Sequence, residues 1–156
     1  MAQPTLKVIP LGGLGEVGKN MLALEYEDDI IVIDAGVLFP EEYMPGVDLV
    51  IPDTTYLEER RDKVRAILIT HGHEDHTGAL PYVLPKLHVP VYAPRLAHGL
   101  ISVKLREHRS LRGVQLHVAE PGRRIKLGRF RAEFFRVCHS IPDACGIAIQ
   151  TPLGLV

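Results

Sequence analysis

The apolar run Ala66-Ile67-Leu68-Ile69-Thr70 leads without a break into His71-Gly72-His73-Glu74-Asp75-His76, and the two together leave few folds open. A short apolar run that ends at once in polar residues reads as a buried strand. Such a strand delivers three imidazoles and two carboxylates to its carboxyl end, with Asp75 and His76 at the opening of the next helical segment. Ring nitrogens and carboxylate oxygens held on one short turn are what a transition-metal ion needs. The competing reading is a polar loop whose histidines cap, hydrogen-bond or face water.

The spacing says more than the residue types. Zinc usually takes four ligands, and a catalytic zinc takes about three from protein so that water can hold the open position. Five donors would overfill one ion, so His71 and His73 are assigned to one metal and Asp75 with His76 to a second, the two ions roughly 3.5–4 Å apart with a hydroxide between them. Glu74 falls between ligands and is expected to face solvent. The donor set admits zinc, manganese or iron and does not name the metal.

The rest of the chain reads as an α/β protein. A strand is expected at 6–9, followed by a glycine-rich turn and a strand at 21–26, where Leu22, Leu24 and Tyr26 alternate with Ala23, Glu25 and Glu27 at strand period. Glu27-Asp28-Asp29 turn the chain into a strand at 30–33. Gly13, Gly15 and Gly18, with Asp34 beyond, imitate a dinucleotide-binding fingerprint. That fingerprint needs a helix directly after the glycines, and a hairpin stands there instead.

A long loop is expected over 38–50, then a helix from Thr54 or Thr55 to residue 63, with Glu58 placed to close a capping box from Thr55. Helices over 77–87 and 95–108 flank a strand at 89–93; Pro81 suits a first helical turn, while Pro85 leaves that helix's end open. Strands follow at 114–118, 124–127, 130–137 and 146–150. Helices interspersed with strands, then strand after strand, suggest half of a layered α/β sandwich. The closing residues 146–156 read as a hairpin whose second strand has barely begun, which implies that the chain is a fragment.

Composition excludes little. With 156 residues, 46% hydrophobic and 24% charged, the chain can bury a core of one-domain size. No apolar run approaches the roughly 18 residues of a membrane span, and the start carries no basic-then-apolar leader, so a cytoplasmic protein without a membrane partner is expected. Cys138 and Cys145 are too few for a disulfide framework and are expected as structural thiols packed like small hydrophobes, although Cys138 adjoins His139. A formal charge of -1 is not that of a stand-alone RNA-binding domain. Lys104, Arg106, Arg109, Arg112, Arg123, Arg124, Lys126, Arg129, Arg131 and Arg136 nevertheless gather in the later part. They could contact phosphates, form a solvated face, or meet another domain or subunit.

His71 to His76 matches the H-x-H-x-D-H signature of the metallo-β-lactamase superfamily. Further segments narrow the match: Gly12-Gly13-Leu14-Gly15-Glu16-Val17-Gly18-Lys19-Asn20, Asp34 at a strand end, His76-Thr77-Gly78-Ala79-Leu80-Pro81, and His139-Ser140-Ile141-Pro142-Asp143. Together they resemble the ribonuclease J family, of the β-CASP group, over essentially the whole chain. The resemblance implies the N-terminal half of a metallo-β-lactamase αββα sandwich. It implies that His139 joins His71 and His73 around the first metal, that Asp75 and His76 serve the second and act in catalysis, and that Asp34 orients ligand histidines without binding metal. His88, His98, His108 and His117 match no ligand motif and are expected at the surface or in the core.

The same resemblance implies two divalent ions, zinc first with manganese admitted, and RNA as substrate, preferably with a 5′-monophosphate end. It implies 5′–3′ exonuclease and endonuclease activity in RNA maturation and decay, and a homodimer or higher homo-oligomer at full length. Residues 1–156 would be the N-terminal part of the metallo-β-lactamase domain. A bridging aspartate, a last histidine ligand and the β-CASP insertion would lie outside them, leaving this stretch alone with negligible activity. Two alternatives remain: another hydrolase of the fold, such as a glyoxalase II-like thioesterase, and a catalytically silent metal- or RNA-binding domain.

Overall fold

Strand-period alternation at the start of the chain produces a meander. In the computed structural model, which describes residues 4–108 and 113–156, β1 (Leu6–Gly12), β2 (Met21–Tyr26) and β3 (Asp29–Ile33) pair antiparallel in sequence order. From β3 onward the sheet continues in parallel through β4 (Val64–Leu68), β5 (Val91–Ala93) and β6 (Leu116–Val118). Parallel neighbours need crossovers. The chain supplies them with α1 (Thr55–Glu58), α2 (Glu74–Thr77), α3 (Leu80–Leu87) and α4 (Arg95–Glu107). A second, antiparallel sheet of order β10-β9-β8-β7 is built from β7 (Arg124–Leu127), β8 (Phe130–Arg136), β9 (Cys145–Thr151) and β10 (Gly154–Leu155). The hairpin after the glycines is present where a dinucleotide fold would place a helix.

The first sheet is buried on both faces, which is why its central strands read as unbroken apolar runs. Met21, Ala23, Ile30, Val32, Ile67 and Ile69 face the helices, against Leu57, Leu80, Val83, Leu84, Ala97 and Ile101. Leu24, Tyr26, Ile31, Ala66 and Leu68 face the second sheet, against Phe130, Ala132, Phe134, Cys145 and Ile149. The order helices, sheet, sheet gives three successive layers of an αββα sandwich, in agreement with the expected fold class. The far face of the second sheet carries exposed Arg124, Lys126, Arg131 and Gln150. The two sheets are also tied by charge: buried Asp29 on β3 accepts from the Arg65 guanidinium and, at 2.9 Å, from the Arg129 backbone N–H in the β7–β8 turn.

Several element boundaries differ from expectation. The helix expected to reach residue 63 ends at Glu58, and a separate 3-10 turn covers Arg61–Lys63. No capping box forms from Thr55, because the Asp53 carboxylate takes both the Thr55 N–H and its hydroxyl, while Glu58 accepts from the Thr54 hydroxyl instead. The helix expected over 77–87 begins only at Leu80, and Thr77 closes a separate short helix, Glu74–Thr77. The Ala79 N–H donates to Ala35 O at 2.8 Å in β3's continuation, which breaks the helical ladder between Thr77 and Leu80. Pro81 lies in the first turn of α3, and Pro85 sits inside that helix. Arg109 and Arg112 of the basic group lie outside the described residues. Among the described residues, no helix is long and apolar enough to cross a membrane.

Phe134 is fully buried between the sheets, whereas Val8 on β1 is 56% exposed. Phe134→Ala should therefore lower unfolding free energy by about 3–5 kcal/mol, and Val8→Ala should change it by less than about 0.5 kcal/mol. Urea denaturation followed by circular dichroism measures both; equal effects would contradict this account of the core.

Candidate metal centre

The parallel strands β3 and β4 end side by side, so whatever follows them meets at one edge of the first sheet. Asp34 follows β3; Thr70, His71 and His73 follow β4; and α2 then carries Asp75 and His76. The α2 turn is pressed onto the end of β3: Ala35 N–H donates to His76 O at 2.8 Å, and Val37 N–H to Glu74 O at 3.1 Å. Gly36 lies so close that a Cβ there would stand 1.5 Å from Asp75 O, which admits no other residue. His139 arrives from the second sheet, on the loop after β8. That loop is pinned by Asp143, whose carboxylate accepts from Arg136 at 2.8 Å and from the Leu96 N–H of α4 at 3.1 Å.

Three of the expected ligands converge. His71 Nε2 lies 3.1 Å from His73 Nδ1 and 3.2 Å from His139 Nε2, and one nitrogen from each ring falls within 4.8 Å of the others. Ligand nitrogens 2.0–2.1 Å from a tetrahedral ion are about 3.3 Å apart, so the trio fits one ion. Asp75 and His76 are outside this trio but beside it. Asp75 Oδ2 and His76 Nε2 are 3.3 Å apart, and the His76 ring centroid is 4.1 Å from that of His71. Glu74 points outward as expected and pairs with Lys104.

Asp34 is buried and joins neither group as a ligand. One oxygen, Oδ1, accepts the Thr70 N–H at 2.8 Å; Oδ2 lies 2.7 Å from His76 Nδ1. A carboxylate only accepts, so His76 carries a proton on Nδ1, and in the neutral ring that a metal ion requires, Nε2 is left bare beside Asp75. The Thr70 hydroxyl has one hydrogen and gives it to Asp34 at 2.9 Å; its oxygen then accepts from His71 Nδ1, also at 2.9 Å. His71 Nε2 is thereby left with its lone pair facing the trio. Thr70 was not singled out from the sequence, and its only signal was a hydroxyl residue between the strand and the first histidine.

The electrostatics treat the two rings oppositely. Burial, then the neighbouring rings of His76, His139 and His73, push the His71 pKa down from 6.5 to about 4. For His76, burial disfavours the charged ring, but the Asp34 hydrogen bond and the charges of Asp34 and Asp75 outweigh it and the pKa rises. Cys138 is exposed and not packed as a small hydrophobe, because it sits beyond the end of β8 where no facing sheet covers it. Cys145 is buried, and its N–H donates to Thr70 O at 3.0 Å. His88 and His117 are exposed, and His98 and His108 are partly so, all away from the trio. Four of the described basic residues of that group pair with carboxylates: Lys104 with Glu74, Arg124 with Glu133, Arg129 with Glu27, and Arg136 with Asp143.

The model of the metallo-β-lactamase superfamily matches residues 14–140, and the chain belongs to that superfamily. Within it, the curated relatives are ribonucleases J. The chain is 47% identical to "Ribonuclease J" of Thermus thermophilus over 99% of its length and 28% of the relative. It is 47% identical to "Ribonuclease J" of Synechocystis over 97% of its length and 24% of the relative, and 43% identical to "Ribonuclease J2" of Bacillus subtilis over 97% and 27%. The chain thus spans about a quarter of the length of these relatives. Solved structures share the fold: a protein of unknown function from Enterococcus faecalis at TM-score 0.77 and 21% identity, covering 98% of this chain and 42% of that one. The Rm3 metallo-β-lactamase follows at TM-score 0.61 and 18% identity, covering 92% and 56%.

Two outcomes are expected. His139→Ala should weaken binding of the first zinc equivalent by more than about 100-fold, beyond the 10–100-fold typical of losing an outer hydrogen-bond partner; calorimetry showing an unchanged affinity would remove His139 from the site. In the metal-free chain, His71 is protonated more readily unfolded, at 6.5, than folded, at about 4. Stability from this ring is full above pH 6.5 and declines as pH falls toward 4, since the unfolded state binds more protons there. His71→Gln lacks that decline, so the gap between the two thermal midpoints should change steadily across this window and stay flat above it.

Proposed function

We propose that this chain is the metal-binding part of a ribonuclease that hydrolyses RNA phosphodiesters. The convergence of His71, His73 and His139 beside Asp75 and His76, in a chain whose relatives carry the name ribonuclease J, is the observation that carries the reading. Metallo-β-lactamase membership and the histidine trio support divalent metal binding. His71, His73 and His139 would hold one ion, and Asp75 with His76 a second, zinc or manganese by donor type. When bound, such ions generate a hydrolytic nucleophile from water at neutral pH and offset charge on the phosphoryl oxygens.

The chain's own residues have separate tasks in this scheme. Asp34 holds His76 in one tautomer and, through Thr70, does the same for His71, so that both present lone pairs to the ions. Asp143 fixes the loop that brings His139 across from the second sheet. Further donors for the second ion, and the surfaces that grip RNA, would come from sequence that the relatives carry beyond the matched quarter. The reading extends to 5′–3′ exonuclease and endonuclease action on RNA with a 5′-monophosphate, in a cytoplasmic homodimer or larger assembly.

A graft tests this. Residues 1–156 replace the matching segment of the Thermus thermophilus relative, and the hybrid is given 5′-phosphorylated single-stranded RNA. Turnover that falls by roughly 100-fold or more with His76→Ala is expected, a loss of the size seen when an electrostatic catalytic group is removed. Thioester hydrolysis without RNA cleavage would replace the ribonuclease by another hydrolase of the fold. Metal and RNA binding without turnover of either would indicate a silent binding domain. The 156 residues alone should show negligible RNA cleavage.

A further inference from the structure

The glycine-rich motif ends at Asn20, a residue with no role so far. Its backbone already binds the metal end of the sheet: Asn20 N–H donates to Asp75 O at 3.1 Å, and Asn20 O accepts from Gly36 N–H at 3.0 Å. The side chain goes further. Its Nδ2 lies 3.1 Å from Asp75 O, 3.1 Å from Asp75 Oδ2 and 3.3 Å from His76 Nε2.

An amide nitrogen has two hydrogens, and here it faces three acceptors. With His76 Nδ1 donating to Asp34, the neutral ring offers a lone pair at Nε2. The partly positive edge of the amide therefore sits where lone pairs of Asp75 Oδ2 and His76 Nε2, 3.3 Å apart, converge. The other end of the amide explains the motif. A Cβ on Gly13 would stand 2.6 Å from Asn20 Oδ1, and Gly13 has φ +83°, so glycine both makes the turn and leaves room for the amide in this orientation. The turn from Gly12 to Gly18 thus meets the site through Asn20, by its backbone and its side chain.

We infer that Asn20 is a positioning residue for the second ion: it holds the Asp75 carboxylate and the α2 turn so that Oδ2 and His76 Nε2 face one point. It is neither a ligand nor a substrate contact. An ion taking one lone pair from each partner leaves the amide its bond to the Asp75 main-chain oxygen, so Asn20 restrains the turn with or without metal. The inference rests on the reading of Asp75 and His76 as ligands of that ion.

The test is a metal titration of the hybrid described above, in which residues 1–156 stand in the Thermus thermophilus relative and the further donors for the second ion are present. One equivalent of zinc fills the histidine trio, and Mn2+ is then added while free Mn2+ is followed by electron paramagnetic resonance. His76→Ala should abolish the Mn2+ binding. Asn20→Ala should weaken it by about 10–100-fold, the range for outer partners of metal ligands, and Asn20→Ser, with a shorter donor, should fall between. The zinc affinity of the trio should not change. A purely structural role would weaken both equivalents together; that result, or unchanged Mn2+ affinity in Asn20→Ala, overturns the inference. If the unsubstituted hybrid binds no His76-dependent Mn2+, the assignment of Asp75 and His76 as ligands fails, and the role of Asn20 with it.

Discussion

The carboxylate of Asp34 is buried at the end of β3, in a backbone conformation with φ +61° that side chains seldom adopt. It is held there by donors from the next parallel strand and the helix beyond it: the Thr70 N–H, the Thr70 hydroxyl and His76 Nδ1. A buried charge stripped of a partner destabilises a fold by about 3–5 kcal/mol, so the carboxylate and its donors form one unit. Through that unit the ends of β3 and β4 and the first turn of α2 are locked together, and the protons of two imidazoles are assigned.

A sheet covered on both faces makes this lock possible. With apolar residues of β3 and β4 packed against helices on one side and against Phe130, Ala132 and Phe134 on the other, the strand ends have little freedom to shift. A metal site tolerates small errors in ligand position, of about 0.5 Å. Rigid parallel strands supply that tolerance, and ligands placed on their carboxyl ends inherit it.

The parts of this fold that depend on short-range pattern were legible in the sequence. Alternation in Met21 to Tyr26 marked a strand, the glycines that follow β1 marked a hairpin, and the unbroken apolar run before His71 marked a doubly buried strand. The histidine and carboxylate spacing separated His71 and His73 from Asp75 and His76, while His139 came only from the family resemblance; the fold brings its ring to those of His71 and His73. What escaped was decided by partners far apart in sequence. Asp53 outcompeted the expected capping box, and Ala35, more than forty residues earlier in the chain, took the Ala79 N–H and held back the start of a helix. Thr70 and Asn20 were silent for the same reason. Threonine and asparagine occur everywhere, and only the fold shows that one faces Asp34 and the other faces Asp75.

The histidine trio is divided between the layers: His71 and His73 leave the first sheet, and His139 leaves the second. A cation shared by the three would act as a rivet through the sandwich, closing the stretch between His73 and His139 into a loop. Closure of this kind removes freedom from the unfolded chain more than from the folded one. Ion occupancy and docking of the two sheets then become one equilibrium, and loosening at Phe134 or Asp29, remote from any ligand, would be felt as faster loss of the ion.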